Sequence, residues 1–411
     1  MRGLDPQLEH QFFDIFKAYY DLETNTTRKY GQGEYTLERM AKLAALAGNP
    51  ERHLRLIHVA GTKGKGSTSF FIGALLEAAG KRNGVFSSPH LTTVRERFQL
   101  DGDWIPYPAL LQAAAEWERE VRNSGIQATL FEMLTVLALK IFRDAGCEYV
   151  VLEAGIGGLL DATNYITSPV CTVITPVSLD HTQLLGGTIE AIAKQKAGIL
   201  KPGVPVVCSH QPFDEAEVVI IETAIMNGCP LLTPELESAL KKWPEIKVLP
   251  PFLRENFLTA LRVLEVLRLK PREAAFALPE MPGRFECVRE TPPVILDAAH
   301  NADSARRLAE ALEHAYPGVK FITILGVVGG KDYAGIFAAL RSVTKEFILT
   351  NPEHTHKGSE LAALAALCAQ HQVLHRSLPA IHSAGELPTG EPLLFTGSFF
   401  TALVGERLFN D

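Results

Sequence analysis

Positive charge, paired cysteines and long apolar runs are all scarce in this sequence, and each shortage excludes a class of protein. The 40 Lys and Arg are outnumbered by 47 Asp and Glu, which gives a net charge of −7 and argues against sequence-independent binding to nucleic acid or to an anionic membrane surface. Any anionic ligand must then be attracted by a local group of positive charges or N–H donors. The six cysteines include no C-x-x-C pair, so buried thiols in a reducing compartment are expected.

Targeting and membrane-spanning patterns are lacking as well. The first residues, MRGLDPQLEHQFF, carry early acids and no apolar core, unlike a secretory signal peptide. The uncharged stretch 162–179 is interrupted by Asn, Ser, Thr and two prolines, which excludes a bilayer span there. With 46% hydrophobic and 21% charged residues, the composition is typical of a soluble globular enzyme, and a cytoplasmic location is expected.

What the sequence does contain is α/β patterning over nearly its whole length. Apolar segments of strand length alternate with amphipathic helical segments, and fully apolar strands such as VPVVCS are typical of a parallel sheet covered on both faces. A chain of 411 residues exceeds what one core usually serves, so two domains are expected. A Pro-rich, charged stretch and the Pro-Gly turn of MPGRFE interrupt the pattern. They predict a larger domain over 1–281 and a smaller Rossmann-like domain over 285–411.

The segment IHVAGTKGKGST, residues 57–68, runs from an apolar strand through a glycine-rich loop into a helical pattern. Glycines let backbone N–H groups approach an anion, the helix N-terminus adds partial positive charge, and Lys65 adds a full charge. The spacing departs from G-x-x-x-x-G-K-[ST], because Val59 stands five residues before Gly64 and Gly66 separates Lys65 from the next hydroxyl. The segment predicts a phosphate-binding loop; the alternative is a structural turn.

Three other polar residues are candidates for a functional site, two after apolar strands and one in a helical stretch. Glu153 comes after YVVL, where a carboxylate at the end of a parallel strand could hold Mg²⁺ with phosphate oxygens; the alternative is a cap of the following glycine turn. His181 follows a strand, and a single histidine there is more often structural. Lys196, near the end of a helical stretch, is by itself typical of a solvated lysine or a helix C-terminal charge.

Eight sequence blocks, in this order and at these separations, resemble folylpolyglutamate synthase and dihydrofolate synthase, the folate branch of the Mur ligase superfamily. The blocks are IHVAGTKGKGST, SSPHL, FEMLT, EAGIGGLLDATN, VSLDHTQLLGGTIEAIAKQKAGI, MPGRFE, ILDAAHN and LFTGSFF. The resemblance implies a Mur-ligase-like P-loop ATPase domain with a parallel-rich sheet and a smaller Rossmann-like C-terminal domain. It also implies an ATP-dependent ligase of folate biosynthesis and one-carbon metabolism.

The resemblance assigns roles to individual residues. It implies two Mg²⁺ ions, one on Ser88 and Glu153, the other on His181 and on a carbamylated Lys196. The implied ATP-binding residues are Gly64, Lys65, Gly66, Ser67, Asn256, Arg284 and Asp297, and the implied catalytic residues are Lys65, Lys196 and His300. The implied pterin-side residues are Phe131, Glu132, Met133, Leu134, Leu160, Asp161 and Ala162.

Several of these residues also have structural explanations. The apolar helix pattern around Phe131 and Met133 is equally consistent with helix core. Arg284 could simply pair with Glu286, and Asn256 could cap a helix.

The match has departures. Lys63 replaces the usual Asn of the loop, Leu159 stands where relatives carry an Arg, and Ala298 replaces a Gly. Leu159 matters most, because losing a guanidinium near the pterin site would alter which acceptor is accepted while leaving the ATP and metal chemistry intact.

The implied reaction joins L-glutamate to dihydropteroate, to reduced folates, or to both, through an acyl phosphate. The first alternative is an enzyme that performs only one of the two ligations. The second is a P-loop kinase or a noncatalytic nucleotide-binding regulator. The expected partners are small molecules, with no nucleic acid and no membrane, and a monomer is expected.

Overall fold

The structure of the protein, a computed structural model, describes residues 5–20, 37–352, 359 and 361–409. It divides into two compact units. The larger unit comprises the described residues of Asp5–Ile246 and Leu253–Pro279. The smaller unit comprises Lys247–Phe252 and the described residues of Glu280–Asp411.

One sheet runs through the larger unit, with the strand order β4-β3-β2-β5-β1-β6-β7-β8 in the described residues. Strands β2, β5, β1, β6, β7 and β8 pair in parallel, whereas β3 and β4 are antiparallel additions at one edge. The strands are β1 (Arg55–Ala60), β2 (Asn83–Phe86), β3 (Phe98–Leu100), β4 (Asp103–Trp104), β5 (Tyr149–Glu153), β6 (Cys171–Ile174), β7 (Val206–Cys208) and β8 (Leu231–Leu232).

Helices cover this sheet because its central strands are apolar on both faces. Every residue of β5 and β6 is buried, as expected for parallel strands between helical layers. Val150 and Leu152 of β5 share a core cluster with residues of α1, α4 and α5. The helices are α1 (Pro6–Ile15), α2 (Leu37–Leu46), α3 (Lys65–Ala78), α4 (Tyr107–Ser124), α5 (Leu130–Asp144), α6 (Thr182–Leu185), α7 (Ile189–Ala197), α8 (Asp214–Met226), α9 (Leu236–Lys242) and α10 (Pro251–Val266).

The smaller unit is built around a second sheet of order β13-β12-β11-β14-β10-β9, in which only β9 is antiparallel among the described strands. Its strands are β9 (Glu286–Glu290), β10 (Pro293–Leu296), β11 (Phe321–Leu325), β12 (Thr344–Leu349), β13 (Leu374–Ser377) and β14 (Leu393–Thr396). Its helices are α11 (Ala302–Ala315), α12 (Tyr333–Leu340), α13 (Leu361–Gln370) and α14 (Phe399–Phe409).

The α/β class and the parallel-rich sheet predicted from the apolar strand pattern are confirmed. Of the six cysteines, Cys147, Cys171, Cys208 and Cys368 are buried, Cys229 is partly buried and Cys287 is exposed. The prediction of buried thiols therefore fails for Cys287, which lies on the edge strand β9. Within the described residues, no helix combines the length and the apolar character that a bilayer crossing requires.

We expect Gly84→Ala to destabilise the larger unit. A Cβ at Gly84 would lie 2.5 Å from Cδ1 of the Phe142 ring, which packs directly on this strand, and overpacking of a core costs about 1–3 kcal/mol. Gly187→Ala is the matched control, since a Cβ there meets no atom within 4 Å. Thermal unfolding should show a lower midpoint for Gly84→Ala alone; equal midpoints would contradict this packing.

Candidate active site

The phosphate loop predicted from the sequence connects β1 to α3. Gly64 is the N-cap of α3 and has a φ of 79°, a left-handed conformation that glycine adopts without strain. A Cβ at this position would also lie 2.3 Å from Oδ1 of Asn256. Because the first N–H groups of a helix have no intrahelical acceptor, the start of α3 at Lys65 offers donors and positive potential to an anion.

Asn256 lies within α10, where it is buried, and its side chain rests against the loop at Gly64. The helix-capping alternative does not describe it, because α10 begins at Pro251. Two residues that lie far apart in the sequence, both implied to bind ATP, are thus brought together.

The other flank of the loop is fixed to the segment that follows β6. The backbone N–H groups of Thr62 and Lys63 both donate to the carbonyl of Pro176, at 3.0 and 3.1 Å. The Thr62 hydroxyl donates to the carbonyl of Ser178 and accepts from its N–H, each at 3.1 Å. The loop is therefore held to the segment after the neighbouring strand by two backbone hydrogen bonds and by the Thr62 hydroxyl.

Lys196, in the last turn of α7, is buried and donates from Nζ to the carbonyl of Gly61 at 2.8 Å. Burial lowers the pKa of this amine well below its usual value, and the charge of Lys65 adds to the effect while Asp180 opposes it. The interpretation as a solvated lysine is wrong, since the side chain is enclosed beside the phosphate loop. A lowered pKa favours the uncharged amine, which is the form that reacts with carbon dioxide.

Glu153 is the last residue of β5 and is only 2% exposed. The N–H of Ser88, which is also buried, donates to Glu153 Oε2 at 3.1 Å. In the glycine turn after β5, the N–H of Ile156 donates to Asp161, at 2.9 Å, so this capping contact is made by a different carboxylate. Ser88 and Glu153, both implied to bind the first metal, are brought together.

His181 is exposed and directly precedes the short helix α6, with a φ of 48°. Its neighbour Asp180 lies 3.4 Å from Nζ of Lys63 in the phosphate loop, and Lys196 contacts the same loop at the carbonyl of Gly61.

The described residues contain no cluster of three His, Cys, Asp or Glu side chains suited to a metal. The pair of Ser88 and Glu153 still fits Mg²⁺, because this ion binds one or two carboxylates together with phosphate oxygens and water.

The FEMLT segment lies at the start of α5, and four of its five residues are buried. Met133 and Leu134 belong to the hydrophobic core, which for Met133 is the alternative that the apolar pattern offered. Phe131 is partly exposed and packs against Phe86, with ring centroids 5.8 Å apart.

The Glu132 carboxylate is already engaged in contacts that stabilise the fold. It accepts from Arg39 Nε, at 2.8 and 2.9 Å to its two oxygens, and from the Thr129 N–H at 2.8 Å. These contacts tie α2 to the start of α5.

A buried network that sequence reasoning missed supports the LDATN segment. The Thr163 hydroxyl donates to Asp161 at 2.6 Å and accepts from Nε2 of His58 at 2.7 Å. Asp161 also accepts from the Thr163 N–H at 3.0 Å, and burial raises the pKa of its carboxyl group. Leu160 and Ala162 remain partly exposed on either side of it. The one sequence feature that could have indicated this network is the polar His58 within the otherwise apolar stretch 56–60.

In the smaller unit, Asp297 and His300 follow β10. The Asp297 carboxylate accepts from the N–H groups of Phe285 and Ala299, at 2.9 and 2.8 Å, and thereby holds Phe285 at a φ of 53°. His300 donates from Nδ1 to the carbonyl of Ala298 at 3.0 Å, which directs Nε2 away from its own backbone. Arg284 donates to the carbonyl of Pro282 at 3.3 Å.

We expect His58 to make stability pH-dependent. Burial, reinforced by Lys201, lowers its pKa to about 3, against about 6.5 in an unfolded chain. Between these values the unfolded state binds more protons, so the contribution is present above about pH 6.5 and is lost as the pH falls. Wild type should lose about 2 kcal/mol more than His58→Gln between pH 7 and pH 5, measured by urea unfolding. Equal losses would contradict this assignment.

Comparison with known proteins covers both units. The Mur ligase middle domain matches residues 59–212, and the Mur ligase glutamate ligase domain matches residues 283–399. Folylpolyglutamate synthase of Lacticaseibacillus casei is 32% identical, over 89% of this chain and 92% of the relative. Dihydrofolate synthase/folylpolyglutamate synthase of Escherichia coli is 34% identical, over 76% of each chain.

Solved structures agree with this result. Mycobacterium tuberculosis folylpolyglutamate synthase complexed with ADP has a TM-score of 0.83 at 26% identity, over 98% of this chain and 99% of its own. E. coli FolC in complex with DHPP and ADP has a TM-score of 0.82 at 28% identity, over 97% of each chain. A bifunctional folylpolyglutamate synthase/dihydrofolate synthase with Mn, AMPPNP and L-glutamate bound has a TM-score of 0.77 at 31% identity, over 90% of this chain and 93% of its own. The chain therefore belongs to the folylpolyglutamate synthase and dihydrofolate synthase branch of the Mur ligase family.

Proposed function

We propose that this chain is an ATP-dependent ligase that adds L-glutamate to dihydropteroate, to folates, or to both, through an acyl phosphate. The observation that carries the proposal is the grouping of three features at one sheet edge: the phosphate loop, the buried pair of Ser88 and Glu153, and the buried amine of Lys196 on the loop backbone. Relatives with this fold bind ADP, DHPP and L-glutamate.

The chemistry requires activation because a carboxylate does not react with an amine at neutral pH. Transfer of the terminal phosphoryl group of ATP to the acceptor carboxylate releases ADP and gives an acyl phosphate. The amine of glutamate then attacks the acyl carbon, and inorganic phosphate leaves from the tetrahedral intermediate. We propose that the triphosphate is bound by Gly64, Lys65, Gly66 and Ser67, because the start of α3 combines N–H donors with a cationic side chain.

Two divalent metal ions belong to this proposal. Ser88 and Glu153 would hold one ion, and His181 with carbamylated Lys196 would hold the other. When bound, such ions neutralise charge on the phosphoryl group that is transferred.

The pterin side of the proposed site uses the exposed members of the predicted set. Phe131, Leu160 and Ala162 are partly exposed around the Asp161 turn and can contact a flat aromatic ring. Leu159, where relatives carry an Arg, is 43% exposed beside this turn. It presents an apolar surface there, which favours an acceptor that does not require a guanidinium at this point.

The remaining assignments rest on the resemblance together with local geometry. Asn256 adjoins the phosphate loop and is proposed to contact ATP. Arg284, Asp297 and His300, in the domain proposed for residues 285–411 and the turn before it, are proposed to serve the nucleotide and the incoming glutamate. For His300, donation from Nδ1 to the carbonyl of Ala298 makes Nε2 the acceptor nitrogen of the neutral ring.

The test is whether release of ADP depends on both co-substrates. Purified protein with ATP and Mg²⁺ should form ADP rapidly only when L-glutamate and a pteroate acceptor are both present, because the acyl phosphate must form and then be consumed. Running dihydropteroate and a reduced folate in separate reactions, with product identified by mass spectrometry, distinguishes a dual enzyme from one that performs a single ligation.

The control for this test is Glu153→Gln, which keeps the size of the side chain but removes its charge. It should retain its folded structure, judged by circular dichroism, while losing nearly all turnover. Binding of ATP without stimulation by glutamate and either acceptor would instead support the nucleotide-binding regulator or kinase alternative.

Carbamylation of Lys196 has its own test. An uncharged amine adds to carbon dioxide and releases a proton to give the carbamate, so enzyme depleted of CO₂ should regain activity when bicarbonate is added. With ¹³C-bicarbonate, wild type should show a carbamate carbon signal by NMR that Lys196→Ala lacks, and this variant should be about 10- to 100-fold less active. If activity does not depend on bicarbonate and no carbamate signal is seen, Lys196 does not have this role.

A further inference from the structure

The phosphate loop of this chain carries a second lysine beside Lys65. Lys63 lies two residues before Lys65. Its Nζ lies 3.4 Å from Oδ2 of Asp180, with side-chain exposures of 12% and 11% for the two residues. The side chain gives the loop a second positive charge at the end of a long stem.

The backbone of Lys63 is held in place, and its ammonium group is the part that can contact a ligand. The N–H of Lys63 is anchored on Pro176, whereas the four-carbon stem beyond it is flexible. The ion pair with Asp180 is largely buried, and its two charges compensate each other. An anion that arrives beside Lys63 can share the ammonium group with Asp180, because an ammonium group has three N–H donors.

The position of Lys63 points to the anion it would meet. Lys63 and Lys65 belong to the loop, and Nζ of Lys196 donates to the loop carbonyl of Gly61 at 2.8 Å, so all three lysines belong to the loop or contact it. Asp180 adjoins His181, one of the residues proposed to hold the second metal ion. A triphosphate bound at the loop would lie near the Asp180 carboxylate, because that carboxylate is 3.4 Å from Nζ of Lys63, and a cation between the two anions reduces their repulsion.

We propose that Lys63 is a second phosphate-binding residue, held ready by Asp180, that contacts the terminal phosphate of the bound nucleoside triphosphate. This inference rests on the proposed function for the orientation of the nucleotide. It predicts that Lys63 favours ATP over ADP, because the terminal phosphate is absent from ADP.

Lys63→Asn, which removes the charge and shortens the side chain, should weaken ATP binding about tenfold and ADP binding much less, because one charge-assisted contact is lost. Lys63→Arg should retain most of the affinity. Dissociation constants measured by calorimetry with Mg²⁺, without glutamate or acceptor, provide the comparison. Lys81→Asn is the matched control, since Lys81 also forms an ion pair, 2.9 Å from Glu148, but at the far end of α3.

A double variant separates phosphate binding from simple neutralisation of Asp180. If Lys63 acts on phosphate, Lys63→Asn with Asp180→Asn remains weak for ATP. If Lys63 only neutralises Asp180, the double variant regains the wild-type affinity, and the proposal is overturned. Equal weakening for ATP and ADP in Lys63→Asn would overturn it too.

The outcome is distinguishable from a failure of the proposed function. A wild-type protein that binds ATP but shows no glutamate-dependent ADP release would refute the ligase, while the difference between ATP and ADP in Lys63→Asn would still establish the lysine's role. An active ligase whose ATP affinity is unchanged by Lys63→Asn would refute the lysine's role alone.

Discussion

Parallel pairing of β1 with β5 on one side and β6 on the other is the constraint on which the rest of the larger unit depends. Val59 is in register with Glu153, and Ala60 with Ile174. Because parallel strands end at the same sheet edge, the phosphate loop after β1 has a carboxylate on one flank and the segment 175–181 on the other. Neither flank is near the loop in sequence.

Burial then gives these groups their chemical properties. Glu153 and Lys196 are removed from water, and each has a backbone partner that fixes its direction, the Ser88 N–H and the Gly61 carbonyl. Burying a charge without compensation is costly, and burial accordingly lowers the pKa of the Lys196 amine. On a surface the same side chain would be an ordinary cation.

The smaller unit also places polar residues at the carboxyl end of a parallel strand. Asp297 and His300 also follow the carboxyl end of a strand, β10, which lies between β14 and β9. Here the carboxylate accepts backbone N–H groups and fixes a turn in which Phe285 has a positive φ. A strand end thus presents polar groups, and the local contacts decide whether they hold the backbone or remain open to a ligand.

The sequence by itself determined the α/β class and the family, and it predicted the phosphate loop, because apolar periodicity and glycine spacing are local properties and eight ordered blocks are specific. Only the tertiary structure decided which members of those blocks are available. Met133 and Leu134 are core residues, Glu132 is bound to Arg39, and Lys196 is enclosed rather than solvated. Burial and partner choice depend on residues about 90 to 135 positions away in the chain, and no local pattern encodes them.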